Sequence, residues 1–342
     1  MSLSELDEKT QRLVEMLERE SLDAILLNAQ HNFAWLTAGG SNGIDLSREN
    51  GAATLLITRN GKRYLLANNI EMPRMLAEEV SADLFAPVAF AWQDEKSDAG
   101  LILTKVRSLI GRDAVIATDL ALFADVEAIE NKIAAGRCRL TADEADRYRL
   151  LGRDAGIAVR RTIDAIEQGE TEIEIAEKLR SELALAGMTS VVTLVAADER
   201  ISQFRHPLPT NNRWNRVLLL VTCAKRHGQI ASLSRLVCVG KVPEELKGKT
   251  EAAAFVNARL LDTTRPGATG AELYRTAEKA YAEHGFAGEI DRHHQGGATG
   301  YKTREWVAHP QSTEVVHQHG FAVCKVIACQ FASTAYKPEV GL

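Results

Sequence analysis

Three histidines stand in sequence surroundings that suit acid–base chemistry or ligand binding. His206 lies in the segment Phe204-Arg-His-Pro-Leu-Pro209, and His293 and His294 open a glycine-rich run that ends at Tyr301. Histidine titrates near neutral pH, so its side chain can take and return a proton during a reaction. Taken alone, the first segment favours a loop histidine held by the proline after it. The adjacent pair is a candidate metal site, although neighbouring residues of a strand point to opposite faces and rarely share one ion.

The cysteines indicate where the protein resides and offer one further candidate site. There are five, scattered along the chain, odd in number and without a CxxC pair: Cys138, Cys223, Cys238, Cys324 and Cys329. This pattern favours a reducing cytoplasm over a disulfide scaffold. Cys324 and Cys329 lie close enough to suggest a metal site, but no second pair of ligands accompanies them. They are more simply interpreted as small buried hydrophobic residues.

Composition excludes several classes of protein. The 342 residues are 45% hydrophobic and 25% charged, which is typical of a soluble globular protein. A net charge of −5 argues against a nucleic-acid partner, which would require a basic face. No apolar run approaches the roughly 18 residues of a membrane helix, and the polar, acidic N-terminus is not a secretory signal. We therefore expect a cytoplasmic protein with neither nucleic acid nor membrane as partner.

The first part of the chain alternates between helical and strand patterns. Leu6 to Leu22 has apolar residues at helical spacing, and Asn60-Gly61 separates two strand-like runs as a hairpin turn would. The other expected strands lie at 23–28, 84–90 and 114–118, and the other expected helices at 72–80, 99–110 and 126–134. Strands alternating with helices predict an α/β layer domain.

A domain boundary is expected near Cys138 to Thr141. Beyond it, a capping box at Thr141-Ala-Asp-Glu144 predicts one helix start, and Thr171-Glu-Ile-Glu174 marks the start of a second helix. The expected helices run to about 168 and from 171 to 186, 244 to 263 and 270 to 284. The expected strands lie at 191–196, 217–223 and 236–240. Since 342 residues exceed a single core, we predict two domains and an α+β fold overall.

Four short segments, spread in order along most of the chain, carry a family resemblance. They are Asn32-Phe-Ala-Trp-Leu-Thr-Ala-Gly39, Arg139-Leu-Thr-Ala-Asp-Glu144, Gly169-Glu-Thr-Glu172 and Arg265-Pro-Gly267. In this order and spacing they resemble the creatinase, prolidase and aminopeptidase P family. The resemblance implies a creatinase-like α/β domain at 1–138 and a pita-bread domain at 139–342. It also implies a homodimer that acts on a small molecule or short peptide.

Hydrolases of this family hold two divalent ions with carboxylates and one histidine, and the matching positions here lack those groups. The resemblance places the first two ligands, both aspartates, at Thr222 and Ser232, and the histidine at Gly297. Hydroxyls and a glycine cannot offset two dications in a protein cleft. His227 stands nearby, but in a polar turn it is more simply a solvated residue. We therefore expect neither metal ligands nor a cofactor.

The remaining two ligands of the family are glutamates in C-terminal strands. The chain offers Glu305, Glu314 and Glu339, of which Glu305 matches a position just after the histidine turn as a site residue and not as a ligand. Glu339 does not match. The segment 321–330 is strand-like, yet the tail departs from the family and ends early. A naturally shortened terminus and an altered reading frame both fit this departure.

A site without metal remains, and the resemblance assigns its residues. His206 matches a histidine that contacts substrate in the peptidases and transfers the proton in creatinase, which works without metal. We expect His206 and Glu305 to be catalytic, and Arg235, His293 and Tyr301 to bind substrate. Arg235 would clamp a carboxylate in a bidentate pair. The alternatives are structural: an ion pair for Arg235, a solvated charged stretch around Glu305 and a core position for Tyr301.

Three functions are compatible with these residues. The first is metal-independent hydrolysis of a C–N bond in a small amino-acid-like or peptide substrate. The second is an Xaa-Pro metallo-aminopeptidase or dipeptidase, against which Thr222, Ser232 and Gly297 speak. The third is a non-catalytic relative that binds a ligand or serves in an assembly.

Overall fold

The computed structural model describes residues 3–318, Gly320 and the backbone of Thr334–Lys337. It divides the chain into two compact units, of which the first ends at Glu144 and the second begins at Ala145. The expected boundary after Cys138 stays a prediction. The predicted strand at 321–330, together with Cys324, Cys329 and Glu339, lies outside the described residues. Within the described part, no helix has the length and apolar character needed to cross a bilayer.

The first unit is an α/β layer domain, as the alternating pattern predicts. Its elements are α1 Leu3–Arg19, β1 Ala24–Ala29, α2 Gln30–Leu36, β2 Asn50–Thr58, β3 Arg63–Asn68, α3 Met72–Arg74 with a π turn at Met75–Glu79, β4 Ala86–Phe90, α4 Trp92–Ser97, α5 Leu101–Ile110, β5 Ile116–Thr118, β6 Glu127–Ala128 and α6 Glu130–Arg137. They build one sheet in the order β4-β3-β2-β1-β5-β6. The strands β1, β5 and β6 run parallel, while β2 pairs antiparallel with β1 and β3. Asn60-Gly61 turns the predicted β2–β3 hairpin.

A polar network closes the carboxyl ends of β1, β5 and β6. Asn32 donates to Asp119 at 3.1 Å and to Glu130 at 2.6 Å, and it accepts from the buried Arg137. His31 bonds to Glu130 at 2.8 Å, and Arg137 pairs with it at 3.0 Å. Although burial alone would raise the pKa of Glu130, its bond to His31 and the charge of Arg137 lower that pKa from 4.5 to about 2. Asn32 of the sequence motif therefore organises this domain.

Replacing Glu130 with glutamine should weaken the dependence of the free energy of unfolding on pH in the acid range. A carboxyl whose folded pKa lies below its unfolded value stabilises the fold above pH 4.5, and that contribution disappears as the pH falls through about 2. Glu130→Gln should therefore unfold with a smaller loss of free energy per pH unit in this window, measured by urea unfolding at a series of pH values. Glu18→Gln, at an exposed position of α1, is the control. Equal slopes for Glu130→Gln and the wild type would contradict the assignment.

The second unit has a four-stranded sheet with helices packed against it. Its elements are α7 Ala142–Ala165, α8 Glu172–Leu185, β7 Thr189–Ala197, α9 Arg200–Gln203, β8 Val217–Arg226, β9 Gln229–Val239, α10 Glu244–Thr263, α11 Gly270–Glu283, a 3₁₀ turn Ala287–Arg292, β10 Gly297–Ala298, β11 Trp306–Val307 and β12 Thr334–Lys337. The sheet order is β12-β9-β8-β7, with β7, β8 and β9 antiparallel and β12 parallel to β9. Apolar residues of α7 and α8 pack on alternate residues of β8. The predicted capping box at Thr141 is present, and Thr171 and Glu174 form a second one at the start of α8.

Candidate functional site

The β8–β9 hairpin carries the two positions that the sequence assigned to the first lost ligands. Its two-residue turn, His227-Gly228, has positive φ angles of 50° and 77° and fixes the register. In that register Thr222 lies opposite Leu233, and Cys223 lies opposite Ser232. Because successive side chains of a strand alternate between faces, Thr222 and Ser232 project from opposite faces of the sheet.

Thr222 therefore cannot share one metal centre with Ser232. Its buried hydroxyl bonds to Ser190 at 2.8 Å on the face that packs against α7 and α8. The residue that shares a face with Ser232 is Cys223, with Sγ and Oγ 3.3 Å apart. A thiol and a hydroxyl thus occupy this part of the site.

Lys225 adds a basic side chain to this face of the sheet. It lies two residues beyond Cys223 on β8, so it projects on the same side as Cys223 and Ser232. Burial lowers the pKa of Lys225, as expected when an ammonium group leaves water. A basic side chain beside a thiol and a hydroxyl is the reverse of the carboxylate set that hard divalent cations require.

Gly297 leaves no space for a ligand side chain. It begins β10 and has a φ of 132°, a region open to glycine and strained for other residues. A Cβ atom there would lie 2.1 Å from the carbonyl oxygen of Trp306 and 2.9 Å from Cα of Val307. The strand β11 passes directly over this position because Gly297 pairs with Val307. Within the described residues, moreover, no three histidine, cysteine or acidic side chains are placed to hold a metal ion. The residues present do not fit the two-metal centre.

The structure brings two predicted site residues together. His206 follows α9 and His293 follows the 3₁₀ turn Ala287–Arg292, and their Nε2 atoms lie 3.1 Å apart. The Nδ1 atom of His293 lies 2.8 Å from the carbonyl oxygen of His294. His206 is exposed, whereas His293 and His294 are partly buried. An imidazole pair that is open to solvent on one side can exchange protons with a bound substrate.

The surroundings of this pair are cationic. Burial lowers the pKa of His293, and the neighbouring charges of His206 and Arg304 lower it further. Burial together with His293 and Arg304 lowers the pKa of His294 to about 4. Arg205 adds a second guanidinium, which pairs with Glu289 at 2.8 Å. Nδ1 of His294 and Nε of Arg304 are buried without a hydrogen-bond partner among the described residues. These groups suit a substrate that carries a carboxylate.

Glu305 and Tyr301 meet in the turn after β10. One carboxylate oxygen of Glu305 accepts hydrogen bonds from the backbone amides of Tyr301, at 2.9 Å, and Lys302, at 3.2 Å. The amide of Glu305 in turn donates to Ala298 at 2.8 Å. Tyr301 is buried, with 2% of its surface exposed. These contacts give Glu305 a part in shaping the turn beside the histidines, and its catalytic role stays a prediction.

Arg235 projects away from the Ser232 face of the hairpin. It follows Ser234 on β9 and lies opposite Leu220, so it leaves the strand on the face opposite to Ser232 and Cys223. Its guanidinium donates to the carbonyl of Ser234 at 2.8 Å. The structure therefore does not bring Arg235 to the Ser232 face, where a substrate clamp was expected.

Cys223 and Lys225 are the residues that sequence reasoning missed. The signal that could have found them is His227-Gly228, because a two-residue turn pairs Arg226 with Gln229 and, three residues back, Cys223 with Ser232.

Comparisons with known proteins cover nearly the whole chain. Residues 9–151 match the creatinase/prolidase N-terminal domain, and residues 146–325 match metallopeptidase family M24. The Xaa-Pro dipeptidase of Pyrococcus horikoshii is 22% identical over an alignment 336 residues long, which covers 93% of this chain and 88% of that protein.

Solved structures with low sequence identity share the fold. The prolidase from Thermococcus sibiricus superimposes with a TM-score of 0.75 at 17% identity, covering 94% of this chain and 88% of that one. The N-terminal domain of a FACT complex subunit from chickpea (Cicer arietinum) gives 0.66 at 11% identity, with coverages of 92% and 86%.

Proposed function

The chain belongs to metallopeptidase family M24, with the predicted creatinase-like and pita-bread domains, and from this premise we propose that it is a metal-independent member of the family. Its reaction would be hydrolysis of a C–N bond in a small amino-acid-like or short peptide substrate. His206 would take a proton from the attacking water and return it to the departing nitrogen, so that one water is consumed and two products leave. The observation that carries the proposal is the closed backbone at Gly297.

The electrostatics of the cleft support this proposal. A two-metal hydrolase relies on carboxylates to balance four positive charges and to hold a metal-bound water. Here Cys223, Ser232 and Lys225 share the relevant face, and Gly297 has no room for an imidazole. The cationic groups Arg205 and Arg304 beside the histidines would instead bind a substrate carboxylate.

Two alternatives are kept because particular observations favour them. The relative from Pyrococcus horikoshii is named an Xaa-Pro dipeptidase, which favours a metallo-dipeptidase. The likeness to a subunit of a protein complex favours a non-catalytic ligand-binding or assembly role. We further propose a cytoplasmic homodimer, to be tested by localisation of the tagged protein and by sedimentation.

Metal analysis separates the metallo-dipeptidase from the other two functions. The purified protein, after incubation with Mn²⁺ or Co²⁺ and desalting, should retain far less than one ion per chain. Any turnover of N-substituted amino acids or Xaa-Pro dipeptides should persist in the presence of a chelator. Two retained ions per chain, with Xaa-Pro cleavage that the chelator abolishes, would overturn the proposal.

A histidine variant separates catalysis from ligand binding. His206→Ala should reduce turnover by about a hundredfold to ten-thousandfold, the usual contribution of an acid–base residue. His284→Ala is the matched control, because that histidine caps α11 and packs on Phe255, away from the pair. Unchanged turnover in His206→Ala would remove this residue from the mechanism. Ligand binding without turnover in the wild-type protein would support the non-catalytic alternative.

A further inference from the structure

Hydrogen bonds link three groups in series next to the proposed substrate position. The carbonyl oxygen of His294 lies 2.8 Å from Nδ1 of His293, and Nε2 of His293 lies 3.1 Å from Nε2 of His206. Both distances are those of hydrogen bonds. The remaining ring nitrogen, Nδ1 of His206, has no hydrogen-bond partner in the described part of the chain.

The chemistry of the groups fixes which atom donates each of these hydrogen bonds. A carbonyl oxygen can only accept a hydrogen bond, so Nδ1 of His293 must carry a hydrogen. Partial burial lowers the pKa of His293 and favours its neutral form, which leaves a lone pair on Nε2. A hydrogen bond to that lone pair then requires Nε2–H on His206. The position of each hydrogen therefore follows from the acceptor that faces it.

We propose that His293 is a positioning residue that holds His206 as its Nε2–H tautomer and presents Nδ1 of His206 as the basic atom facing the substrate. This rests on the proposed function, because it names the atom through which His206 acts. The exposure of His206 leaves Nδ1 accessible, whereas its Nε2 is occupied by the partly buried His293.

The assignment gives the reaction a single proton-carrying atom. The water proton moves to Nδ1 of His206 as the water oxygen bonds to the substrate carbon. The same proton then moves to the substrate nitrogen as the C–N bond breaks, which regenerates neutral His206. Throughout, Nε2–H of His206 stays bonded to His293, so the ring keeps its orientation between the two transfers.

Nitrogen NMR of the protein labelled with ¹⁵N-histidine tests the tautomers without any substrate. Spectra would be recorded at about pH 8, above the ordinary titration range of histidine. His206→Gln and His293→Gln identify the two rings by the loss of their signals. We expect the Nε2–H form for His206 and the opposite form, Nδ1–H, for His293. In His293→Leu, which cannot accept a hydrogen bond, the protected Nε2–H signal of His206 should be lost. His293→Gln, whose side-chain oxygen can replace the acceptor, should preserve it.

The outcomes distinguish this inference from the function on which it rests. His284→Gln controls for general effects of losing a histidine, and far-UV circular dichroism controls for folding. Two Nδ1–H tautomers with their Nε2 lone pairs facing each other, or Nε2–H on His293, would overturn the positioning role whatever the activity. If the tautomers are as expected but His206→Ala retains full turnover, the proposed function fails and the geometry stands. With a substrate in hand, His293→Leu should lower kcat more than it changes KM, and His293→Gln should recover part of the loss.

Discussion

Replacing Lys9 with methionine is expected to lower the free energy of unfolding by about 3–5 kcal/mol, the usual result of removing one partner from a buried ion cluster. Lys9 is fully buried in α1, and its ammonium bonds to Glu5 at 2.6 Å, to Glu144 at 2.9 Å and to the carbonyl of Trp35 at 2.6 Å. Methionine keeps most of the volume but removes the charge. Two buried carboxylates then face each other without the cation between them.

Urea unfolding of matched variants measures this effect. Arg160→Met breaks an exposed pair with Asp164 and should leave stability nearly unchanged. The triple variant Glu5→Gln, Lys9→Met, Glu144→Gln removes every charge of the cluster and should recover a substantial part of the lost stability. If Lys9→Met is as mild as Arg160→Met, the cluster does not stabilise the first unit in the manner described.

Much of the fold could be predicted because its signals are local. The Asn60-Gly61 turn and the capping box at Thr141 act within four residues, and both are present. Only the final part of β9 was predicted, because its first half carries Ser232 and Ser234. Those polar residues interrupt the apolar run that marked the other buried strands. Lys9 illustrates a different limit: it stands on the apolar stripe of α1, but its burial depends on acceptors far along the chain.

The candidate site was less accessible from the sequence, since it depends on register and on distant contacts. The resemblance implied roles for His206 and His293, but their contact joins residues 87 positions apart. Thr222 and Ser232 match two ligand positions of the family, but strand pairing puts them on opposite faces and sets Cys223 opposite Ser232. Arg235 was assigned by its motif, and strand alternation puts it on the other face. Sequence motifs identified the segments of the site, while hairpin geometry decided which side chains share a surface.

Replacing Gly297 with alanine should lower the free energy of unfolding by at least about 3 kcal/mol, because steric overlap and backbone strain act together. The new Cβ would lie 2.1 Å from a backbone oxygen of β11, which no side-chain rotation can relieve. The φ of 132° adds strain for any residue with a Cβ. Urea unfolding measures the change. Gly152→Ala is the control, since Gly152 lies in α7 with open space around it and alanine should stabilise that helix by up to about 1 kcal/mol.

The same geometry bears on whether a metal site could be rebuilt. Histidine at position 297 begins with the Cβ that alanine has, so Gly297→His should be at least as destabilising as Gly297→Ala. Introducing carboxylates by Cys223→Asp and Ser232→Asp would supply two oxygen ligands on one face, but the imidazole could be added only if β10 moves away from β11. A Gly297→Ala variant as stable as the wild type would show that the two strands can separate at little cost. In that event the backbone at Gly297 would no longer exclude the missing histidine, and the case for a metal-independent site would depend on Cys223, Ser232 and Lys225 alone.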